Sequence, residues 1–305
     1  MIDHVFDTAE SKNEISTKNR GFNSLRSKIT YINEIKKTYK NFLFIMIHLL
    51  NNDFPFEAIL KNDKKIIIQN RYDLLFLSRN NIWEKCDIKN DRLSLKYNNE
   101  QIIYFEDWRQ NGDIIEIFCN DIYKSKYIKD SIVLDIGANI ADSSIYFSLN
   151  KAKKIIALEP SPRNYYAAVK NIEINEIKNI EILLAGCAGE RKIVKIDPDI
   201  SNLGSFVESK NGQEIEMFTL NEITKKYKIT EGVLKLDCEG YEHEILVSSE
   251  NSTLSNFSYI FGELHYKTIT PVNEIKQKLE KAGFDVSFSG FKSKSEIPRY
   301  FKAKK

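Results

Sequence analysis

A run of apolar residues that ends at a single glycine constrains the fold of this chain more than any other feature. In VLDIGANIADSS, residues 133–144, the run Val133, Leu134 and Ile136 leads to Gly137, and a helix-like segment follows. This pattern predicts a buried strand, a tight turn and a helix. Further strand-like runs, IIALE, IEILL, VLKLD and SYIFGE, alternate with helix-like segments. Such alternation is typical of a parallel α/β sheet, and FDVSFS and RYFKA predict a terminal antiparallel pair.

The first turn indicates the kind of ligand that such a sheet would bind. In open parallel sheets, ligands bind beyond the carboxyl ends of the strands, next to the point where the strand order reverses. The turn has Asn139 and Ala141 where a dinucleotide fingerprint would place its later glycines. Glu159 ends the second strand, where an acid commonly accepts hydrogen bonds from ribose hydroxyls. The pattern therefore favours a bound nucleoside that has no pyrophosphate, such as S-adenosylmethionine. The alternative is that Glu159 ends the strand without binding any ligand.

Four segments in this order resemble one known family. VLDIGANIADSSIYF, IIALEPSPRNYYAAVKNI, VLKLDCEGYEHEIL and GELHY are similar to the FkbM-type S-adenosylmethionine-dependent methyltransferases, over roughly residues 110–290. The resemblance implies a Rossmann-like class I methyltransferase fold, with a seven-stranded, mostly parallel sheet. It also implies transfer of a methyl group to a hydroxyl of a sugar, glycan or other small natural product. Ala141 departs from the family pattern, which usually has glycine there.

The resemblance also assigns the residues of the cofactor site. Asp135, Gly137 and Asn139 would surround the methionine and ribose end, Glu159 would bind the ribose hydroxyls, and Ala185 and Gly186 would end the third strand near the adenine. Ser161 and Arg163 would touch the adenosine or form an exposed helix start. The predicted cofactor-binding residues are Tyr123, Asp135, Gly137, Asn139, Glu159, Ser161, Ala185 and Asp237.

The chemistry is predicted at the ends of the fourth and fifth strands. Methyl transfer to an alcohol needs a positioned nucleophile and a group that accepts its proton. Asp237 and Glu239 follow the fourth strand, and Glu263 and His265 follow the fifth. The predicted catalytic residues are therefore Asp237, Glu239 and His265, with Asp237 or His265 as the general base. His265 could instead be structural, and Lys235 is expected to pair with a carboxylate. An alternative is that these Asp, Glu and His side chains hold a divalent ion that lowers the pKa of the hydroxyl. The spacing is not a specific metal motif, so no metal is predicted.

The family resemblance does not extend to the first part of the chain. We predict a flexible tail over residues 1–20, a helical and antiparallel β region over 21–120, and the methyltransferase domain over 121–305. KKIIIQN, LSLKY, QIIYF and DIIEIF predict the short strands of the middle region. FLFIMIHLL, residues 42–50, is too short to span a bilayer. Because it is apolar all round, we expect several of its sides to be covered, by docking or in a homodimer.

Composition excludes some partners. Lys and Arg number 45 and Asp and Glu 43, so no overall positive charge favours nucleic acid. The four cysteines are scattered without metal-ligand spacing. The polar N-terminus does not resemble a signal peptide, which predicts a cytoplasmic protein.

Three other functions fit the sequence less well. A nucleic-acid N-methyltransferase would carry an Asn/Asp-Pro-Pro-aromatic segment after the fourth strand, where this chain has LDCEGYE. A binding module that has lost catalysis would not need Asp237 and Glu239. A dehydrogenase would need the later glycines of the first turn. The acceptor is predicted to lie against a lid near residues 199–218, including Asn202, Leu203, Gly204 and Ser205.

Overall fold

The structure is a computed structural model, and it describes residues 25–98, 101–110, 113–197, 212–265, 272–289 and 300–305. Two compact units make up the chain, Met1–Ile122 and Tyr123–Lys305. The predicted tail, residues 1–20, and the Asn202 to Ser205 part of the predicted lid lie outside the described residues. In the part of the chain that is described, no helix is both long enough and apolar enough to cross a membrane.

The first unit combines helices with two small antiparallel sheets, one of strands β1 and β2 and one of strands β3, β4 and β5. Its helices are α1 (Leu25–Thr38), α2 (Phe42–Asn51), α3 (Arg71–Ser78) and α4 (Asp113–Phe118). Its strands are β1 (Phe56–Ile59), β2 (Lys65–Ile68), β3 (Cys86–Lys89), β4 (Arg92–Tyr97) and β5 (Gln101–Phe105). The strands predicted in KKIIIQN, LSLKY and QIIYF are therefore confirmed.

Helix α4 corrects the prediction that DIIEIF forms a strand. The segment is helical, and it buries Ile114, Ile115, Ile117 and Phe118. These positions recur with the spacing of one helix face, whereas a strand would bury alternate residues. Burial of this face outweighs the β-propensity of the isoleucines, which suggested a strand.

Helix α2 has one buried face in the described residues, and the expected covering of its other sides is not tested by a single chain. Ile45 and Leu49 are buried, whereas Leu43 is 76% exposed and Ile47 57% exposed. The described chain therefore covers one face of this helix. A homodimer through this region stays a prediction.

The second unit alternates strands and helices as predicted. Its strands are β6 (Ile132–Ile136), β7 (Lys154–Leu158), β8 (Ile180–Leu183), β9 (Gly186–Cys187), β10 (Lys192–Ile196), β11 (Gln213–Phe218), β12 (Gly232–Leu236), β13 (Phe257–Glu263), β14 (Asp285–Ser289) and β15 (Tyr300–Lys304). Its helices are α5 (Asp142–Leu149), α6 (Pro162–Ile174), α7 (Leu220–Tyr227), α8 (Glu242–Ser248), α9 (Asn251–Leu254) and α10 (Val272–Lys281).

The main sheet has seven strands in the order β14-β15-β13-β12-β6-β7-β8. Strands β8, β7, β6, β12 and β13 run parallel, and β15 is antiparallel to both β13 and β14. The predicted seven-stranded, mostly parallel sheet and its terminal antiparallel pair are therefore confirmed. The chain proceeds from β6 to β8 on one side and continues from β12 on the other. The strand order thus reverses between β6 and β12, where open sheets bind their ligands.

The central strands are buried on both faces, as parallel strands covered by helices must be. Every residue of β12 is buried. Side chains of the sheet form one core with those of α7, α8 and α10, including Leu134, Leu158, Leu236, Ile260, Ile223, Ile245 and Leu279. This core fixes the strand ends at which the site is built.

The third parallel strand ends earlier than predicted. Strand β8 stops at Leu183, so Ala185 and Gly186 do not end it. Gly186 instead begins β9, which pairs with β11 in a separate sheet of the order β10-β11-β9. The sequence does not reveal that β8 and β9 belong to different sheets, because NIEILLAG is one continuous apolar run that covers β8 and the start of β9.

Candidate active site

The turn after β6 requires glycine for two reasons. Gly137 has a φ of +82°, in the left-handed region that L side chains rarely adopt. A Cβ atom at this position would lie 1.9 Å from the backbone oxygen of Asp237. The N–H of Gly137 also donates to the carbonyl of Leu158 at the end of β7, at 3.0 Å. The turn is therefore packed tightly against the ends of β7 and β12.

A buried ion pair lies directly below this turn. Lys235 of β12 is opposite Asp135 of β6 in the sheet register, and its Nζ lies 3.0 Å from Asp135 Oδ1. The same Nζ donates to the carbonyl of Gly137 at 2.7 Å. Burial alone would lower the pKa of Lys235, but the carboxylates of Asp135 and Asp237 outweigh it and raise this pKa above its usual value. Lys235 therefore stays charged and pairs with a carboxylate, as predicted.

Asp135 lies buried beneath the turn, and the cofactor role that the resemblance implied for it stays a prediction. Its side chain is fully buried, and Oδ2 accepts hydrogen bonds from the hydroxyls of Ser143 and Ser144, each at 2.6 Å. Because the ion pair and the two serines occupy the carboxylate, Asp135 holds the turn and the start of α5 in place.

Glu159 follows β7 and lies on the other side of the turn. Its carboxylate accepts hydrogen bonds from the N–H groups of Asn139 at 2.8 Å and Ser161 at 2.9 Å. Burial raises its pKa to about 7, although these two N–H groups act in the opposite direction. The three predicted cofactor residues Asn139, Glu159 and Ser161 therefore lie together. Ala185 is buried after β8.

Asp237 follows β12 and is held from two sides. The Tyr123 hydroxyl donates to its Oδ2 at 3.1 Å, and Lys235 Nζ lies 3.9 Å from the same oxygen. The other oxygen, Oδ1, lies 3.9 Å from Nδ1 of His265. The side chain is 16% exposed, so a reactant can reach it. Tyr123, Asp237 and His265, which lie far apart in the sequence, are therefore brought together.

His265 is surrounded by carboxylates. Its Nε2 lies 3.4 Å from both Glu239 and Glu263, and its Nδ1 lies 3.1 Å from Glu242. Burial lowers the pKa of this histidine, but Glu242, Glu263, Asp237 and Glu239 raise it much more, to about 11. The ring is therefore protonated at neutral pH. A protonated imidazole cannot accept a proton, so of the two predicted bases Asp237 is the one that fits this arrangement.

Glu242 also belongs to this cluster, although its sequence position predicted no role for it. Its side chain is 2% exposed. It accepts hydrogen bonds from the N–H groups of Cys238 at 2.8 Å and Gly240 at 3.0 Å. Burial would raise its pKa, but His265 and these N–H groups together lower it. An acid in the first turn of a helix is a common partner for free N–H groups, and this signal could have identified it.

The cluster also contains a set of atoms that a metal ion could use. One ligand atom each from Asp237, Glu242 and His265 lies within 4.8 Å of the others. Carboxylate oxygens and imidazole nitrogens together suit several divalent ions. The sequence predicted no metal here, and that expectation stays untested.

These features define the class of protein. A mostly parallel seven-stranded sheet, a single-glycine turn at its switch point and acids after the second and fourth parallel strands form the predicted Rossmann-like class I methyltransferase fold. Residues 135–286 match the sequence model of the methyltransferase FkbM domain. The chain belongs to this family, and it is an S-adenosylmethionine-dependent methyltransferase, as its sequence predicted.

Solved structures similar to this chain include several methyltransferases. One is a precorrin-6y C5,15-methyltransferase of Geobacter metallireducens, with a TM-score of 0.33 and 15% identity over 58% of this chain and 82% of that one. A methyltransferase of Streptococcus mutans in complex with SAH has a TM-score of 0.40 and 13% identity, over 58% and 89%. An rRNA methylase of Streptococcus thermophilus has a TM-score of 0.37 and 11% identity, over 59% and 92%. No curated protein matches the chain.

We predict that Gly137→Ala lowers the free energy of unfolding by about 3 kcal/mol or more, because it adds conformational strain to a backbone clash. Gly283→Ala is the matched control. Gly283 also has a positive φ, +91°, but its Cβ would meet nothing within 4 Å. Gly283→Ala should therefore cost about 1–2 kcal/mol. Urea unfolding of both variants measures the difference, and equal costs would contradict the close approach to Asp237.

We predict that Lys235→Met lowers the free energy of unfolding by about 3–5 kcal/mol, because it leaves Asp135 buried without its cation. Adding Asp135→Asn to this variant should recover part of the loss, since the stranded charge is then removed. Unfolding of the two single variants and the double variant gives the coupling energy. Strictly additive costs would show that the pair does not interact.

Proposed function

We propose that this protein transfers a methyl group from S-adenosylmethionine to a hydroxyl of a sugar, glycan or other small natural product. The observation that carries the proposal is the position of Asp237. Its partly exposed carboxylate is fixed by Tyr123 and Lys235. It also lies across the Gly137 turn from Glu159, whose N–H partners come from the turn itself and from the start of α6. The Gly137 turn thus separates Glu159, an acid suited to binding a nucleoside, from Asp237, the candidate general base.

Glu159 would bind the ribose end of the cofactor. When bound, S-adenosylmethionine supplies an activated methyl group on a sulfonium ion. The Glu159 carboxylate, already oriented by the N–H groups of Asn139 and Ser161, can accept a further hydrogen bond from a ribose hydroxyl. The hydrogen bonds from Asn139 and Ser161 would hold Glu159 in the orientation that positions the cofactor. Because Gly137 has no side chain, the cofactor could approach the backbone of the turn closely.

Asp237 would act at the acceptor end. It would accept the proton of the acceptor hydroxyl as the hydroxyl oxygen attacks the methyl carbon. The electron pair of the broken carbon–sulfur bond would go to the sulfur. Tyr123 would hold the carboxylate in place through its hydrogen bond to Oδ2. General-base assistance of this kind contributes about 10²–10⁴-fold to a rate, and orientation of the two reactants contributes more.

The competing functions have weaker support. The formal net charge of +2 does not favour a nucleic-acid substrate. A module that only binds the cofactor would not need a base fixed by two partners. A cytoplasmic location, an acceptor lid near residues 199–218 and a homodimer through α1 and α2 are parts of this proposal that rest on the sequence alone.

The test is transfer of radiolabelled methyl groups from S-adenosylmethionine to a panel of sugars, glycans and hydroxylated natural products, with ribosomal and transfer RNA alongside. At saturating cofactor, Asp237→Asn should reduce transfer by about 10²–10⁴-fold, because the amide cannot accept the proton. Asp285→Asn is the control, since Asp285 is an exposed acid on β14. Labelling of RNA but of no hydroxyl compound would overturn the proposed acceptor class.

A further inference from the structure

Side chains from three separate elements bring possible metal-binding atoms together. Asp237 follows β12, Glu242 lies in the first turn of α8, and His265 follows β13. One such atom from each lies within 4.8 Å of the other two. Nδ1 of His265 lies 3.1 Å from Glu242 Oε1 and 3.9 Å from Asp237 Oδ1. Ligand atoms that share one metal ion are about 3–4 Å apart, so these separations suit a common ion.

The other ring nitrogen of His265 has the partners that a metal-bound histidine usually has. Nε2 lies 3.4 Å from Glu263 Oε1 and from Glu239 Oε2. A histidine that binds a metal through one nitrogen commonly donates the N–H of the other to a carboxylate, which orients the ring and fixes its tautomer. With the Nε2 proton on the side of Glu263 and Glu239, the lone pair of Nδ1 lies on the side of Asp237 and Glu242.

Two of the three side chains are already held in place, and the site is open to solvent. Glu242 accepts hydrogen bonds from two backbone N–H groups of the preceding loop. The Tyr123 hydroxyl holds Asp237 through Oδ2, which leaves Oδ1 as the oxygen on the side of the ring. Asp237 and His265 are partly exposed, so an ion from solution could reach them.

The charges around the ring favour a cation. Lys235 is close, but its Nζ is bonded to Asp135 and to the Gly137 carbonyl. A ring with a positive charge could offset at most one of the four carboxylates that face it, which are Asp237, Glu239, Glu242 and Glu263. A divalent cation would reduce the repulsion that remains among them.

We propose that Asp237, Glu242 and His265 bind a divalent transition-metal ion, such as Mn²⁺ or Zn²⁺, and that this ion also binds the acceptor hydroxyl. A set that includes an imidazole suits such an ion better than Ca²⁺, which takes oxygen ligands. The sequence spacing indicated no metal because the three ligands come from separate elements. When the ion binds Nδ1, any proton on that nitrogen is released to solvent.

The ion would make the acceptor hydroxyl more acidic. The hydroxyl proton would still pass to Asp237, and the hydroxyl oxygen would still attack the methyl carbon, as in the proposed function. This role of the ion rests on the proposed function, whereas the metal site itself does not.

Calorimetric titration of metal-free protein with Mn²⁺ tests the site. The wild-type protein should bind one ion per chain. Glu242→Gln and His265→Asn should each weaken binding by at least about tenfold, because each removes a ligand, and Glu263→Gln should weaken it by about tenfold, because it removes a partner of the ring. Thermal unfolding shows whether each variant is folded.

Two substitutions on α8 are matched controls. His243 lies on this helix and contacts Glu274 at 2.9 Å on the surface, and Glu244 accepts a backbone N–H from Gly189. His243→Asn and Glu244→Gln should leave the Mn²⁺ affinity unchanged. Absence of Mn²⁺ binding to the folded wild-type protein would overturn the proposal. Equal affinities in the wild-type protein, Glu242→Gln and His265→Asn would also overturn it, because the ion would then bind elsewhere.

Electron spin echo spectroscopy of Mn²⁺ bound to the wild-type protein is a test that depends on no variant. It should detect one imidazole nitrogen bound directly to the ion, and labelling with ¹⁵N-histidine identifies that nitrogen as histidine. Bound Mn²⁺ without a nitrogen ligand would overturn the proposed ligand set.

Methyl transfer with and without the ion tests its role in the reaction. Transfer should fall by at least about 100-fold in metal-free protein and return when Mn²⁺ is added. Full transfer by the metal-free protein would overturn this role. Calorimetry with S-adenosylhomocysteine on the same samples tests the proposed function separately. Binding of Mn²⁺ by a protein that binds no cofactor would support the metal site and refute the methyltransferase site.

Discussion

The buried ion pair between Lys235 and Asp135 is the interaction on which the site depends. It joins β12 to β6, the two strands at the point where the strand order reverses. Lys235 also donates to the carbonyl of Gly137 and lies near Asp237, so one cation holds the Gly137 turn and lies beside the proposed base. Two charges removed from water are costly unless each is well paired. Asp135 meets this condition through Lys235, Ser143 and Ser144.

Glu159 and Glu242, two buried acids of the candidate site, lie in opposite electrostatic environments. Glu159 is buried among backbone N–H groups, and its pKa rises to about 7. Glu242 is also buried but faces His265, and its pKa falls. The first group can change its protonation state near neutral pH, whereas the second stays ionised. A single fold thus provides one acid that can respond to pH and another that holds a fixed charge.

The sequence predicts the parallel sheet well because its strands are buried on both faces and appear as continuous apolar runs. It predicts Glu159, Asp237 and His265 as site candidates because the carboxyl ends of parallel strands meet at one edge. It could not predict that α4 is helical, since β-branched residues also suit strands. It also missed Glu242 and the direction of the His265 pKa, because both depend on which acids β13 and α8 bring beside the ring.

Calorimetric titration with S-adenosylhomocysteine as a function of pH tests the central claim, that Glu159 holds the ribose of the cofactor, most directly. Hydroxyl donors prefer the ionised carboxylate, so the dissociation constant should rise by up to about tenfold for each pH unit below the Glu159 pKa. Glu159→Gln should bind more weakly and lose this pH dependence, and NAD should give no heat. Binding that is unaffected by both pH and Glu159→Gln, or an absence of binding to the folded protein, would contradict the account.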